Sequence, residues 1–268
     1  MVLEVSRSGF YAWDKRPRSN RDKENEAIMK QIKEIHEKSN RTYGSRKITA
    51  KLRRNGRIVN HKRIERLMRK AGIKSKVSRK FKATTNSKHS LPVAGNILNR
   101  EFDADKPNQK MVSDITYLWT DEGWLYIAAV MDLYGQIIVG LSMGERMTKD
   151  LVINALESAW LRSGKPSGVL LHSDRGSQYC SYDYQTLLRS YGFTCSMSRK
   201  GNCWDNAPME AFWGKMKYEW LFGQRFRTRD EARAAVFEYV EIFYNRVRLH
   251  ESNGYLTPEE YYNNYRAS

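Results

Sequence analysis

A chain of 268 residues suits one large domain or two modest ones, and its 40% apolar content still lets a segment of ~150 residues bury a core. A formal net charge of +17 points to a polyanionic partner, while three cysteines without a CxxC pair (Cys180, Cys195, Cys203) read as reduced thiols and speak against a disulfide framework or a zinc site. The most apolar run, from Ile127 to Met143, is broken by Asp132 and two glycines and is too short to span a bilayer; the opening lacks the apolar stretch of a signal peptide, so a cytoplasmic protein without membrane association is expected, nucleoid-associated when it is on DNA.

Charge divides the chain. Residues 1–100 hold 28 Lys and Arg against 8 Asp and Glu, whereas residues 101–268 hold 19 against 22. In the basic part, Ile28, Ile32 and Ile35 recur at helical spacing, and Ile48 and Leu52 continue the pattern on a second short helix after Thr42-Tyr43-Gly44. Asn60 is placed to cap a third helix carrying Ile64, Leu67 and Met68, which Gly72 terminates. Two short helices joined by a tight turn suggest a helix-turn-helix. The third would turn Lys62, Arg63, Arg66, Arg69 and Lys70 outward as a major-groove surface, with Arg46 and Lys47 on the second helix as further DNA contacts. Residues 1–80 are therefore expected to form a basic all-α DNA-binding module. Residues 81–109, with Thr84-Thr85-Asn86-Ser87, Pro92 and Pro107, read as a linker.

From residue 110 to 268 the texture is that of an α/β domain. Met111–Thr120, Trp124–Leu133 and Gln136–Met143 are β-rich runs, with a tight turn at Tyr134-Gly135. A helix over 149–162, a strand at Val169-Leu170-Leu171, a helix near 182–191, a strand at 193–197 and helices over 205–222 and 228–245 follow. Three adjacent strands succeeded by alternating helices and strands predict a mixed sheet in a layered architecture.

Three carboxylates fall where such a sheet could gather them. Asp114 interrupts a run of β-formers, Asp174 follows the buried strand Leu170-Leu171-His172-Ser173, and Glu210 opens a helix introduced by Asp205-Asn206-Ala207-Pro208. Clustered carboxylates repel, and a divalent cation relieves the repulsion; hard oxygen donors favour Mg²⁺ or Mn²⁺. Each acid alone has an ordinary reading as a turn, cap or helix-dipole residue, but 35 residues lie between Asp174 and Glu210 (175–209), and that spacing favours the joint reading. Lys217, seven residues beyond Glu210, would share its helix face and could hold a phosphate. His172 reads equally as a tuning or a packed residue, Gly176 as the residue of a tight turn, and Trp204, Trp213 and Trp220 as core or interface anchors.

Ser113-Asp114-Ile115-Thr116-Tyr117, Met131-Asp132-Leu133-Tyr134, His172 to Tyr179, Asp205 to Glu210, Tyr244 to His250 and Thr257-Pro258-Glu259 occur here in one order. Together they resemble the transposases of the insertion sequence 3 family, over nearly the whole chain. That resemblance implies a ribonuclease H-like catalytic core similar to retroviral integrase, with Asp114, Asp174 and Glu210 as catalytic and metal-binding residues, two Mg²⁺ or Mn²⁺ ions, and cleavage and joining of DNA. It implies as partners the DNA of element ends and target, an oligomer on that DNA, and an upstream-frame product joined by frameshifting. The His-His-Cys-Cys zinc module of retroviral integrases has no counterpart here. Two rivals stand beside it: a non-catalytic repressor-like remnant, which would keep the basic module but need not keep three carboxylates at workable spacing, and a ribonuclease H-type nuclease without strand joining. The helix-turn-helix and the Tyr-Asn…Arg…His segment favour the transposase.

Overall fold

The computed structural model describes residues 6–76 and 91–267. The chain divides into two compact units, Met1–Ser75 and Lys76–Ser268. Among the described residues no helix is long and apolar enough to cross a membrane.

The first unit contains α1 (Arg7–Asp14), α2 (Asn20–Lys38), α3 (Ser45–Arg54) and α4 (His61–Lys70). Most of the expected apolar positions make its core: Ile28 and Ile32 of α2, Ile48 and Leu52 of α3, and Ile64, Leu67 and Met68 of α4 are buried, while Ile35 is only half-buried. Asn60 caps α4 by accepting the Lys62 N–H through Oδ1 at 2.9 Å, and Gly72 leaves the helix with φ +67°, a conformation costly for any residue bearing a Cβ. Lys62, Arg66, Arg69 and Lys70 are exposed as expected. Arg63 is the exception. Its guanidinium turns back onto α2, giving Nε to Asn25 at 2.9 Å and both Nη groups to Glu24, so it ties the helices together rather than facing outward. On α3, Arg46 is exposed, whereas Lys47 is half-buried with its ammonium 5.3 Å from the Tyr43 ring centroid. The helix α1, not anticipated from the sequence, buries none of its own residues.

In the second unit β1 (Lys110–Thr120), β2 (Gly123–Asp132) and β3 (Ile137–Gly144) form an antiparallel meander. Parallel strands β4 (Leu170–Ser173) and β5 (Thr194–Met197) extend it on the other side of β1, giving the order β3-β2-β1-β4-β5. The mixed sheet expected from the sequence is thus present. Helices α5 (Lys149–Arg162) and α6 (Tyr182–Ser190) cover one face, where Val130, Val139, Leu156 and Leu171 are buried. The other face carries α7 (Ala207–Met216), a π-helical turn over Lys217–Leu221, α8 (Arg229–Phe237) and a second π-helical run over Glu238–Tyr244. There Val112, Ile127, Met131, Phe212 and Tyr239 pack together. A last helix, α9 (Pro258–Ala267), closes the chain.

The linker reading of residues 81–109 needs correction where the structure describes them; 77–90 lie outside the described residues. Residues 91–109 are strapped to the sheet. Leu98 is buried in the core, and the N–H groups of Ile97 and Leu98 both donate to Ser196 Oγ, at 2.9 and 3.0 Å. Asn108 donates its N–H to the buried Asp132 at 2.7 Å. Proline and polar content suggested a free segment because the partners that satisfy this backbone come from strands far along the chain.

Candidate active site

Asp114 sits in the middle of β1, opposite Ala129 of β2. On its other side the parallel register pairs Val112 with His172, and two residues further brings position 114 level with position 174, just past the end of β4. Glu210 lies in the first turn of α7, on a helix anchored by the buried Met209, Phe212, Trp213 and Met216. Three rigid elements thus bring the three acids toward one place. Desolvation raises the Asp114 carboxyl well above the usual range, and the negative charges of Asp174 and then Glu210 add to it; the Ile115 N–H and the Trp213 indole oppose the rise. Desolvation also raises Glu210. Among the described residues, no group of three or more His, Cys, Asp or Glu side chains is disposed to hold a metal ion. The donor chemistry of the three acids nonetheless fits a hard divalent cation, which would relieve the mutual repulsion they display.

Several neighbours hold this arrangement. Trp213 Nε1 donates to Asp114 Oδ2 at 3.1 Å, linking the helix of Glu210 to the central carboxylate. The Gly176 N–H donates to Asp174 Oδ1 at 2.8 Å, and a Cβ at Gly176 would lie 3.0 Å from that oxygen. Gly176 therefore serves close approach and also opens the expected turn after the strand, its carbonyl accepting the Tyr179 N–H at 3.0 Å, though without a positive φ. Ser113 donates its hydroxyl to the Ala129 carbonyl at 3.0 Å, and the buried Tyr179 hydroxyl stands 3.0 Å from Ser113 Oγ. Asn206 Nδ2 donates to the Ser113 carbonyl at 3.1 Å, tying the loop before α7 to the strand of Asp114.

Lys217 comes to the site. Burial lowers its ammonium from the ordinary lysine value, the charge of Asp114 opposes that, and Nζ lies 5.4 Å from the Tyr117 ring centroid. Lys215 is packed on another side, lowered to about 8 by burial and then by Arg248, with Glu219 opposing. His172 is a packed residue: it is fully buried between the hydroxyls of Ser196 at 2.8 Å and Ser198 at 3.1 Å, and burial lowers its imidazole to about 4. Trp213 is buried and Trp220 stacks on Phe243, as anchors should; Trp204 is 68% exposed and is no core residue. Sequence reasoning missed Trp213 as a donor to Asp114, although its place three residues after Glu210 was a usable signal. It also missed Asp205, which is fully buried among Arg100, Arg199 and Asn96.

Comparison with known proteins agrees with this architecture. Residues 104–203 match an integrase core domain, 191–258 a second integrase core domain model, and 23–81 an HTH-like domain. The chain is 48% identical over 264 residues to an uncharacterized 31 kDa protein of insertion element IS600 from Shigella sonnei, covering 98% of this chain and 97% of that protein. It is 43% identical over 264 residues to the transposase InsF for insertion sequence IS3A of Escherichia coli strain K12, covering 98% and 92% respectively. Among solved structures, a chain of the simian T-cell lymphotropic virus intasome in complex with PP2A regulatory subunit B56 gamma aligns with a TM-score of 0.51 at 15% identity, over 86% of this chain and 74% of that one, a likeness of fold.

Proposed function

This chain belongs to the insertion sequence 3 family of transposases, enzymes with an integrase-type core, and from that premise we propose that Asp114, Asp174 and Glu210 are its catalytic, metal-holding triad. The observation that carries the proposal is the parallel register of β1 and β4, which brings Asp174, just past the end of β4, level with Asp114, with the charge of Glu210 raising Asp114 further. Bound there, two Mg²⁺ or Mn²⁺ ions would supply Lewis-acid stabilisation to the attacking and leaving oxygens of an in-line substitution at phosphorus.

The chain's own residues do the rest. Trp213 fixes Asp114 Oδ2, and the Gly176 N–H fixes Asp174 Oδ1, so each aspartate is oriented before DNA arrives. Lys217 places a positive charge beside Asp114 for a phosphate of the DNA end. In the basic module, Lys62, Arg66 and Arg46 face solvent and supply contacts to duplex DNA; Lys47 joins them from over Tyr43, and Arg63 braces the helix that presents them. The partners are the element's ends and a target duplex, held by an oligomer of this chain in the bacterial cytoplasm, with an upstream-frame product completing recognition of the ends.

The test is conservative removal of each ligand. Asp114→Asn, Asp174→Asn and Glu210→Gln should each abolish Mg²⁺-dependent cleavage and strand transfer of labelled DNA ends while duplex binding persists. Full strand transfer by any one purified variant would sink the assignment, and cleavage without joining by the wild type would point to a nuclease.

A further inference from the structure

Asp205 is a charged group with no exposure, five residues before Glu210 and outside the triad. Two guanidiniums meet it. Arg199 gives its backbone N–H and Nε to Oδ2, at 2.8 and 2.9 Å, and Nη2 to Oδ1 at 2.7 Å. Arg100 gives Nε to Oδ1 at 2.8 Å, and Asn96 Nδ2 reaches Oδ2 at 3.0 Å. The carboxylate is therefore saturated while the cluster keeps one excess positive charge. Its two cations are not hidden: the side chains of Arg100 and Arg199 are 43% and 46% exposed.

A guanidinium carries five N–H donors in a planar fork. Asp205 takes the Nε side of each, leaving Nη1 of Arg199 and both Nη groups of Arg100 without a partner among the described residues. Two forks are thus held in fixed orientation with their outer ends toward solvent, so most of the entropy of ordering them is already spent before any ligand binds. Their location is specific. The loop of Arg199 and Asp205 leads into α7, and its next residue, Asn206, is bonded to the carbonyl of Ser113 beside Asp114. A phosphodiester, whose single negative charge is shared by two non-bridging oxygens, is the ligand whose shape and charge fit a preset fork at the edge of such a site.

From this geometry we infer that Arg100 and Arg199, preset by Asp205, form a phosphate clamp for the DNA backbone flanking the scissile bond. The inference rests on the DNA-joining reading of the site and adds two ligand contacts to it. The purely structural alternative is that both arginines only fasten the strap of residues 91–109 to the loop before α7.

The two are separated by salt dependence, measured with the full chain by fluorescence anisotropy on a labelled duplex carrying an element end. Each phosphate contact contributes roughly 0.9 to the slope of log affinity against log salt. Arg100→Gln/Arg199→Gln should flatten that slope by about 1.8, on the same relation, and Arg100→Lys/Arg199→Lys should largely keep it. A folded double Gln variant with the wild-type slope overturns the clamp. Should that variant not fold, the wild type still decides: phenylglyoxal modification of Arg100 and Arg199, read by mass spectrometry, should fall when DNA is bound, and equal modification with and without DNA overturns the clamp. A wild-type chain showing no salt-dependent DNA binding would overturn the DNA-joining reading as well.

Discussion

One hydrogen bond links the helix that carries Glu210 to Asp114, another member of the proposed triad. Trp213 is part of the core on α7, yet its indole N–H is spent on Asp114 Oδ2, so the position of the Glu210 helix and the orientation of Asp114 are set together. Trp213→Phe keeps an aromatic ring in the core and removes the donor. Partners of this kind typically hold 10–100-fold in metal affinity, so the Mg²⁺ concentration giving half-maximal strand transfer should rise by roughly that factor. An unchanged Mg²⁺ midpoint would show that the indole does no orienting. A second carboxyl, Asp132, makes a separate statement about pH. It is fully buried, accepts the N–H groups of Asn108 at 2.7 Å and Tyr134 at 2.9 Å, and is raised by desolvation from 3.8 to about 6. A folded-state value above the unfolded one means that the folded chain holds the extra proton between those two pH values. The contribution of Asp132 to stability therefore falls as pH rises through about 4 to 6, and stays low above that window. Relative to Asp132→Asn, the wild type should lose ~2–3 kcal/mol between pH 4 and pH 7, from about two units at 1.36 kcal/mol each. Denaturation curves that keep a constant gap between the two proteins across that range would refute this.

The elements read most easily from the sequence are those whose stability is local or periodic. The meander, α5 and the three helices of the basic core follow from β-branched runs, a tight turn at Tyr134-Gly135, and isoleucines at helical spacing. The elements that escaped have other causes. In α1 no residue is buried, and α9 is tyrosine-rich, its Tyr262 being buried and giving its hydroxyl to Asn108 at 3.1 Å, a partner 154 positions away. The π-helical turns lie inside the expected helices 205–222 and 228–245, where the apolar periodicity gave no sign of them. Glu219 in the first run accepts the Tyr239 hydroxyl of the second at 3.1 Å, and forms a buried ion pair with Arg248, which gives it Nε and Nη2 at 2.7 and 2.6 Å. With side chains only 8% and 12% exposed, neither charge tolerates loss of the other. Arg248→Ala should cost ~3–5 kcal/mol in chemical denaturation, and Arg248→Met with Glu219→Leu should recover most of it. A single-variant loss below ~1 kcal/mol would place the pair among ordinary surface contacts.

At the scale of the whole molecule, the proposed triad could be picked out in the sequence because its members stand in short motifs, whereas its support could not, because Trp213, Asp205 and Ser196 act across long separations. The strap and the carboxy-terminal motif share one further property. At β5, Ser196 Oγ takes the N–H groups of Ile97 and Leu98, and the Met197 N–H is given to the Gly95 carbonyl at 3.2 Å. At β3, on the opposite side, Asn245 accepts the Ile138 N–H and donates to the Ile138 carbonyl, both at 3.0 Å, while Arg233 Nη1 donates to the Met143 carbonyl at 2.7 Å. Both outer strands are thus occupied by groups that are not strands. An open sheet with bare borders is a template on which another chain can add itself, and a basic protein crowded along DNA meets many copies of its own kind. Here a newcomer would have to displace Asn245 or the strap before it could pair along either border.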